Sequence, residues 1–211
     1  NFFFFSDEAV PIPTLKKISE RVIEEGIDIK WTGGVRFEQA LTKEILTKMS
    51  EAGCLKLVFG LESFSQRVLD LMGKGTSTRD IRRIVDDCLD LSIALHLYII
   101  VGFPTETEEE AKETFLFVME NERLLDSHGF SCLPCLFDLQ KGTPIMESPR
   151  EYGLKEIKAP SVHDMTLGYF YETEKGMSPE QADKIYSFIH QKINERVSPF
   201  PYNYSMSDGL L

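Results

Sequence analysis

The stretch that decides the fold is Ala94-Leu95-His96-Leu97-Tyr98-Ile99-Ile100-Val101, which runs directly into Gly102-Phe103-Pro104-Thr105-Glu106. Its first part is almost continuously apolar, which is typical of a parallel strand that is buried on both faces. The glycine and the proline end this strand, and Thr107 followed by Glu108-Glu109-Glu110 has the pattern of a capping box that opens a helix. Strand, loop and helix in this order indicate a βα unit.

The same rhythm occurs on both sides of this unit. Four more β-prone runs cover residues 2–5, 29–35, 55–61 and 130–137. Stretches with the apolar spacing of helices separate them, and Thr14 and Thr42 stand where the N-caps of two helices are expected. The spacing of the strand starts is that of βα units in a barrel or a doubly wound sheet.

The rhythm changes after Pro149. Residues 165–173 are predicted to form an isolated aromatic strand, and Ser178-Pro179-Glu180-Gln181 begins a last helix that reaches about Arg196. The tail over 199–211 has turn residues and no period. We therefore predict a main unit over 1–148 and a C-terminal α+β extension over 149–211, made of a strand, a helix and an irregular tail.

The composition limits the classes of partner and location. The chain has 34 acidic and 23 basic residues and a net charge of -11, which repels phosphate backbones and disfavours nucleic acid as a partner. No apolar run is long enough to cross a bilayer. The 4 cysteines are too few for a disulfide framework. We expect a cytoplasmic protein without a membrane partner.

Candidate ligand-binding residues stand at the predicted strand ends, because parallel α/β folds bind ligands at the carboxyl edge of the sheet. A carboxylate directly behind a buried strand costs free energy unless the site uses it, so Glu62 is the strongest single candidate, with functional and structural roles evenly balanced. The acids after Thr107 more simply complement a helix dipole. The strand ends are Ser6-Asp7-Glu8, Arg36, Gly60-Leu61-Glu62-Ser63 and Gly102-Phe103-Pro104-Thr105-Glu106.

Further polar residues fall within the strands. His96 and Tyr98 share one face by alternation, either as substrate contacts inside a barrel or, the favoured interpretation for His96, as a satisfied core residue. Cys132 and Cys135 stand three apart and thus on opposite strand faces, and no second ligand pair follows at the spacing that zinc requires. Packing is favoured for this pair, with a substrate contact by one of the two as the alternative.

Several of these stretches together resemble a known family. Met49-Ser50-Glu51-Ala52-Gly53-Cys54 leads into Val58-Phe59-Gly60-Leu61-Glu62-Ser63, and Ile99-Ile100-Val101-Gly102-Phe103-Pro104-Thr105-Glu106-Thr107 follows. This combination resembles the radical S-adenosylmethionine (radical SAM) superfamily. Phe5-Ser6-Asp7-Glu8 is similar to a strand end of the branch that carries an N-terminal cobalamin-binding domain.

The resemblance implies a partial (βα)6 barrel of the TIM type, here incomplete, with parallel strands. It also implies a 4Fe–4S cluster on a Cys-x3-Cys-x2-Cys loop, where SAM is cleaved reductively to a 5′-deoxyadenosyl radical, and cobalamin as a further cofactor. By position, the family likeness assigns the SAM amino group to Asp7 and Glu8, its carboxylate to Arg36, its ribose to Glu62 and Ser63, and its adenine to Gly102, Phe103 and Pro104.

One element of the family pattern is missing. No Cys-x3-Cys-x2-Cys occurs in the 211 residues, so the chain has no catalytic or metal-binding residue to assign. We expect the five strands to be strands two to six of the family barrel, in a chain cut from a longer one whose N-terminal part holds the cluster and any cobalamin. The isolated chain is then inactive, and its exposed edge strand at residues 2–5 favours dimerisation.

Two other functions remain open at this stage. One is a non-catalytic α/β binding or scaffold module. The other is an unrelated barrel enzyme in which Asp7, Glu8 and Glu62 act as general acids and bases. The substrate is not predictable, because likeness at the level of the fold does not select one.

Overall fold

The main sheet has five parallel strands in the order β1-β2-β3-β4-β5, which curl into a half-barrel. The computed structural model describes residues 1–161 and 168–197. The strands are β1 (Phe2–Phe4), β2 (Lys30–Gly34), β3 (Cys54–Glu62), β4 (Ala94–Val101), β5 (Ser131–Leu136), β6 (Leu154–Lys158) and β7 (Phe170–Thr173). The helices are α1 (Ile12–Glu24), α2 (Lys43–Glu51), α3 (Gln66–Leu71), α4 (Thr78–Asp90), α5 (Glu108–Met119), α6 (Glu122–Leu125), α7 (Pro144–Glu147) and α8 (Pro179–Asn194).

This topology confirms the α/β fold class and the partial TIM-type barrel. Each strand of the main sheet pairs in parallel with the next one along the chain. Side chains alternate between the two faces of the sheet. In β3, Leu57, Phe59 and Leu61 are fully buried in the hydrophobic core. The intervening residues of β3 therefore face the inside of the half-barrel.

The helix starts follow mostly from capping side chains. The Thr42 hydroxyl accepts from the Ile45 amide at the start of α2, and Thr107 forms the predicted capping box with Glu110 at the start of α5. The prediction for Thr14 is wrong, because α1 begins at Ile12 with Pro11 as its N-cap. A proline within the first turn, where the amide has no helical partner anyway, explains this earlier start.

The C-terminal part differs from the sequence prediction in one respect. The aromatic strand is not isolated, because β7 pairs antiparallel with β6, a strand that the sequence analysis missed. The predicted strand at residues 165–167 and the tail at 199–211 lie outside the described residues. Helix α8 is capped by Ser178 in a capping box with Gln181, as its sequence predicts, and packs beside β5.

Two further observations concern the surface. Strand β1 lies at one end of the main sheet, and Phe2, Phe3 and Phe4 are 53%, 51% and 46% exposed. None of the helices within the described residues combines the length and the apolar character that crossing a bilayer requires.

Candidate functional site

Glu62 lies at the carboxyl end of β3, on the inner side of the half-barrel. The pairing of β3 with β4 shifts register between Gly60 and Glu62, and Glu62 adopts a φ of 59°. Its side chain folds back over Gly60, where a Cβ atom would lie 2.3 Å from Glu62 Oε1. A side chain at position 60 would displace the carboxylate from this position, and the left-handed conformation of Glu62 itself costs free energy.

Lys74 connects this carboxylate to the end of the neighbouring strand. Its Nζ lies 2.8 Å from Glu62 Oε1, and its backbone oxygen accepts a hydrogen bond of 2.9 Å from Arg36 Nη2. Gly73 and Gly75 flank it at φ values of 65° and 63°, which shape the loop that presents the lysine. Two cations and a carboxylate from three segments are thereby brought together at one edge of the sheet.

Asp7 and Glu8 lie above the end of β2, and both side chains are exposed. The backbone oxygen of Glu8 passes so close to Gly34 that a Cβ atom there would lie 2.2 Å from it. The Val10 amide donates to the Gly34 oxygen over 2.8 Å, which fixes the turn. The structure thus places the two acids beside the strand that leads to Arg36.

The loop behind β4 is organised by Glu106, a strand-end residue to which the sequence analysis assigned no role. This carboxyl group is 1% exposed, and its Oε2 accepts from the Gly102 amide over 2.7 Å. Burial is the main cause that raises the pKa of Glu106 to about 7. A buried acid inside a loop at a strand end is a recurrent feature of functional sites.

The other loop residues pack tightly within the protein. Gly102 has a φ of 82°, and a Cβ atom there would lie 2.5 Å from Ala182 Cβ in α8, so the glycine is needed for this close approach. Phe103 is buried edge-to-face against Phe137 at 5.4 Å, and Pro104 is also buried. The adenine contacts of these residues stay predictions.

Arg67 clamps the same loop from α3. Its guanidinium donates to the Thr105 oxygen over 2.8 Å and to the Thr105 hydroxyl over 3.0 Å. It also forms a bidentate pair with Glu110 at 2.8 and 2.6 Å, which is the main cause that lowers the pKa of Glu110 to about 2. The clamp holds the loop to both α3 and α5.

Ser63 is not brought into the site with Glu62. It is fully buried on the opposite face, where its hydroxyl lies 3.3 Å from Thr114 Oγ1 of α5 and accepts from the Ser65 amide over 3.1 Å. The strand ends at Glu62, whose φ of 59° is left-handed, and Ser63 turns to the other side. This arrangement gives Ser63 a role in holding the turn behind β3.

Replacing Ser63 should therefore change stability rather than ligand binding. In Ser63→Ala the buried Ser65 amide loses its acceptor, and we expect a loss of about 2 kcal/mol in the free energy of unfolding. Urea unfolding measures this, with Ser187→Ala on the exposed side of α8 as the control. If Ser63→Ala left the stability unchanged but weakened SAM binding, this would instead support the contact between Ser63 and the SAM ribose that the family resemblance implies.

The inner wall of the half-barrel carries His96, Tyr98 and Cys135. Register places His96 opposite Val58, three residues before the partner of Glu62, which is roughly 10 Å along the strand. The rings of His96 and Tyr98 meet edge-on at 4.5 Å. Cys135 is exposed, and burial together with the nearby Glu62 raises its pKa, whereas Cys132 is fully buried on the outer face.

The cysteines do not assemble into a metal centre. Cys54, Cys88 and Cys132 are buried, and burial raises the pKa of each thiol. Within residues 1–161 and 168–197, no three His, Cys, Asp or Glu side chains are grouped so that they would hold a metal ion. The donors present therefore do not fit a 4Fe–4S cluster, which needs thiolates brought together at one place.

Comparison with known proteins decides the family. The family model described as the radical SAM superfamily matches residues 1–118, more than half of the chain. The chain belongs to the radical SAM superfamily. An uncharacterized methyltransferase of Pyrococcus horikoshii is 35% identical over 100 residues, which is 47% of this chain and 22% of that relative. The chain spans about a fifth of the length of the first curated relatives it matches.

Solved structures agree with this membership at the level of the fold. The cobalamin-dependent S-adenosylmethionine radical enzyme OxsB superposes with a TM-score of 0.61 at 16% identity, over 88% of this chain and 33% of that one. The radical SAM methyltransferase TsrM from Kitasatospora setae, with cobalamin and a 4Fe–4S cluster bound, gives a TM-score of 0.55 at 17% identity, over 83% and 34%. Both likenesses confirm the half-barrel as a radical SAM fold.

Proposed function

We propose that this chain forms the SAM-binding part of the barrel of a radical SAM enzyme. The observation that carries the proposal is the Glu62 carboxylate at the inner rim, held 2.8 Å from Lys74 Nζ and joined through Lys74 to Arg36. SAM carries an amino group, a carboxylate, two ribose hydroxyls and an adenine. The edge of this sheet offers acids, cations and an ordered backbone loop at neighbouring strand ends.

Each group of SAM has a matching partner. Glu62 accepts hydrogen bonds from the vicinal ribose hydroxyls, for which a carboxylate with two oxygens is well suited. Arg36 and Lys74 meet the SAM carboxylate, and Asp7 and Glu8 meet its ammonium group. Lys74 joins this set because its ammonium group already pairs with the Glu62 carboxylate.

The adenine lies against the loop behind β4. Arg67 and Glu106 hold that loop from either side, so its backbone groups are fixed before the ligand arrives. A preorganised loop loses less conformational entropy on binding. His96 and Tyr98, further down the inner wall, are proposed to face the substrate.

SAM cleavage needs a 4Fe–4S cluster, and the described cysteines are not grouped so that they could bind one. We therefore assign no reaction step to this chain by itself. In the full enzyme, the cluster would come from another part of the same polypeptide. Cobalamin is proposed as a further cofactor of that enzyme because OxsB and TsrM, whose folds match, bind it. No described residue is assigned to either group.

A second function is the non-catalytic α/β binding or scaffold module, proposed here as a module that binds SAM without cleaving it, with which the dispersed cysteines are compatible. The third interpretation from the sequence, an unrelated barrel enzyme with Asp7, Glu8 and Glu62 as acids and bases, is wrong because the family model matches residues 1–118. Both remaining functions include the binding of SAM, and only the first includes its cleavage.

The gene and its product separate these two. We expect the sequence upstream of Asn1 to encode Cys-x3-Cys-x2-Cys, and the full product, after anaerobic cluster reconstitution and reduction, to release 5′-deoxyadenosine from SAM. A full-length product that binds SAM without iron–sulfur absorbance and without cleavage would support the module instead. A product that does not bind SAM would exclude both.

We also propose self-association through β1. Phe3, half exposed at the edge of the sheet, offers apolar surface beside an edge strand. Sedimentation of the 211-residue chain should show a dimer that Phe3→Lys shifts to monomer, while Phe188→Lys on exposed α8 leaves it intact. A wild-type chain that stays monomeric at every concentration tested would contradict this.

A further inference from the structure

Lys56 is a buried lysine on the inner wall, at the amino-terminal end of the half-barrel. It is 4% exposed, and its Nζ donates to the Gly129 backbone oxygen and to Ser131 Oγ, both over 2.8 Å. Both partners lie beyond β4. The Lys56 side chain crosses β4 beside its register partner Ala94, whose small side chain leaves room for it. A buried ammonium group is expensive unless a negative charge compensates for it.

The hydrogen bonds continue from Ser131 to His96. The Ser131 hydroxyl lies 2.7 Å from His96 Nδ1. Lysine only donates, so Ser131 accepts from Lys56 and its own proton is available for Nδ1. Burial and the nearby Lys56 lower the pKa of His96 to about 4, so the ring is neutral at pH 7. The tautomer is thereby fixed with the proton on Nε2.

Nε2 of His96 is the last polar atom of this hydrogen-bonded series. His96 is fully buried, and Nε2 has no hydrogen-bond partner among the described residues. A buried donor without an acceptor costs free energy. The three side chains therefore present a positive charge and a free N–H donor on the inner wall, and both known partners of Lys56 are neutral.

We propose that Lys56, Ser131 and His96 form a binding site for the carboxylate of a small acidic substrate inside the barrel. The carboxylate accepts from His96 Nε2 and compensates for the charge of Lys56. Tyr98, the next inner-face residue toward the mouth, lies edge-on to His96 at 4.5 Å, so a ligand that reaches Nε2 from the mouth has to pass its ring. That this ligand is the enzyme's substrate rests on the proposed function; that the site binds a carboxylate does not.

Acetate is the probe for this site. In long-range proton–nitrogen NMR spectra of the histidine rings, with the His96 signal assigned through His96→Gln, acetate should shift Nε2 in a saturable manner. Lys56→Met, which keeps most of the unbranched apolar part of the side chain and removes its charge, should weaken acetate binding by about tenfold or more. Lys30→Met, which removes an exposed lysine at the start of β2, is the matched control and should have no effect.

Ser131→Ala gives a second measurement that does not depend on the folding of Lys56→Met. Without the hydroxyl, His96 loses its fixed tautomer, so both tautomers should appear and acetate should bind more weakly. Acetate affinity unchanged in Ser131→Ala or in folded Lys56→Met would overturn the proposal. So would a wild-type His96 signal that acetate does not move.

The same samples are titrated with SAM, which separates the two proposals. Acetate binding without SAM binding would overturn the proposed function and leave the carboxylate site standing. If SAM bound but acetate did not shift the NMR signal of His96, the carboxylate site alone would be overturned.

Discussion

Glu62→Ala should raise the dissociation constant for SAM by about tenfold to hundredfold, because two hydrogen bonds between ribose hydroxyls and a charged oxygen pair are lost. The change also frees Lys74 from its contact at 2.8 Å, so part of the loss is offset by a stronger pairing of Lys74 with the SAM carboxylate. Isothermal titration with SAM measures the effect.

Two controls bracket this result. Glu62→Gln keeps one acceptor oxygen and should lie between wild type and Glu62→Ala. Glu51→Ala removes an exposed carboxylate at the end of α2 and should bind SAM as wild type does. Equal SAM affinity in Glu62→Ala and wild type would mean that the ribose is held elsewhere.

Glu106→Gln should remove the pH dependence that the buried carboxyl group gives to the stability of the fold. Folded Glu106 has a pKa of about 7, against 4.5 in the ordinary state, and burial is the largest cause. Between these two pH values the folded protein binds more protons than the unfolded one. The free energy of unfolding therefore falls as pH rises from about 4.5 to about 7.

Glutamine does not titrate, so the stability difference between the two proteins should shift in favour of Glu106→Gln by about 3 kcal/mol between pH 4.5 and pH 8. Urea unfolding of both proteins across this pH range measures the difference in stability. The effects of groups that titrate in both proteins cancel in this difference. Glu109→Gln at the exposed start of α5 is the control. A constant difference at every pH would mean that Glu106 is ionised in the fold as in water.

The strands of the main sheet were predictable because burial on both faces leaves a strong apolar signal. β4 was predicted at Ala94–Val101 and observed there, and β5 lies within its predicted range. β6 was missed because Leu154-Lys155-Glu156-Ile157-Lys158 is short and mostly polar, and Glu156 has a φ of 49°. Its stability comes from pairing with β7, which no local pattern reveals.

The site was predictable in part for a related reason. A carboxylate behind a buried strand made Glu62 conspicuous, but the irregular register at Gly60 and Glu62 decides which face it takes, and Ser63 turns the other way. Lys74 and Glu106 depend on loop geometry that the sequence does not state. Lys56 was not predicted to be a site residue. A lysine between Leu55 and Leu57 fits the alternating polar and apolar pattern of any strand with one exposed face.

The most direct test of the central claim is to map SAM onto the backbone of the 211-residue chain by amide NMR. The account predicts saturable shifts that cluster at Arg36, Glu62 and Lys74 and in the loop behind β4. A wide groove on the outer surface, lined by Phe64, Arg82 and Leu116, is the natural alternative location. Shifts confined to that groove, or no shifts at all, would contradict the account.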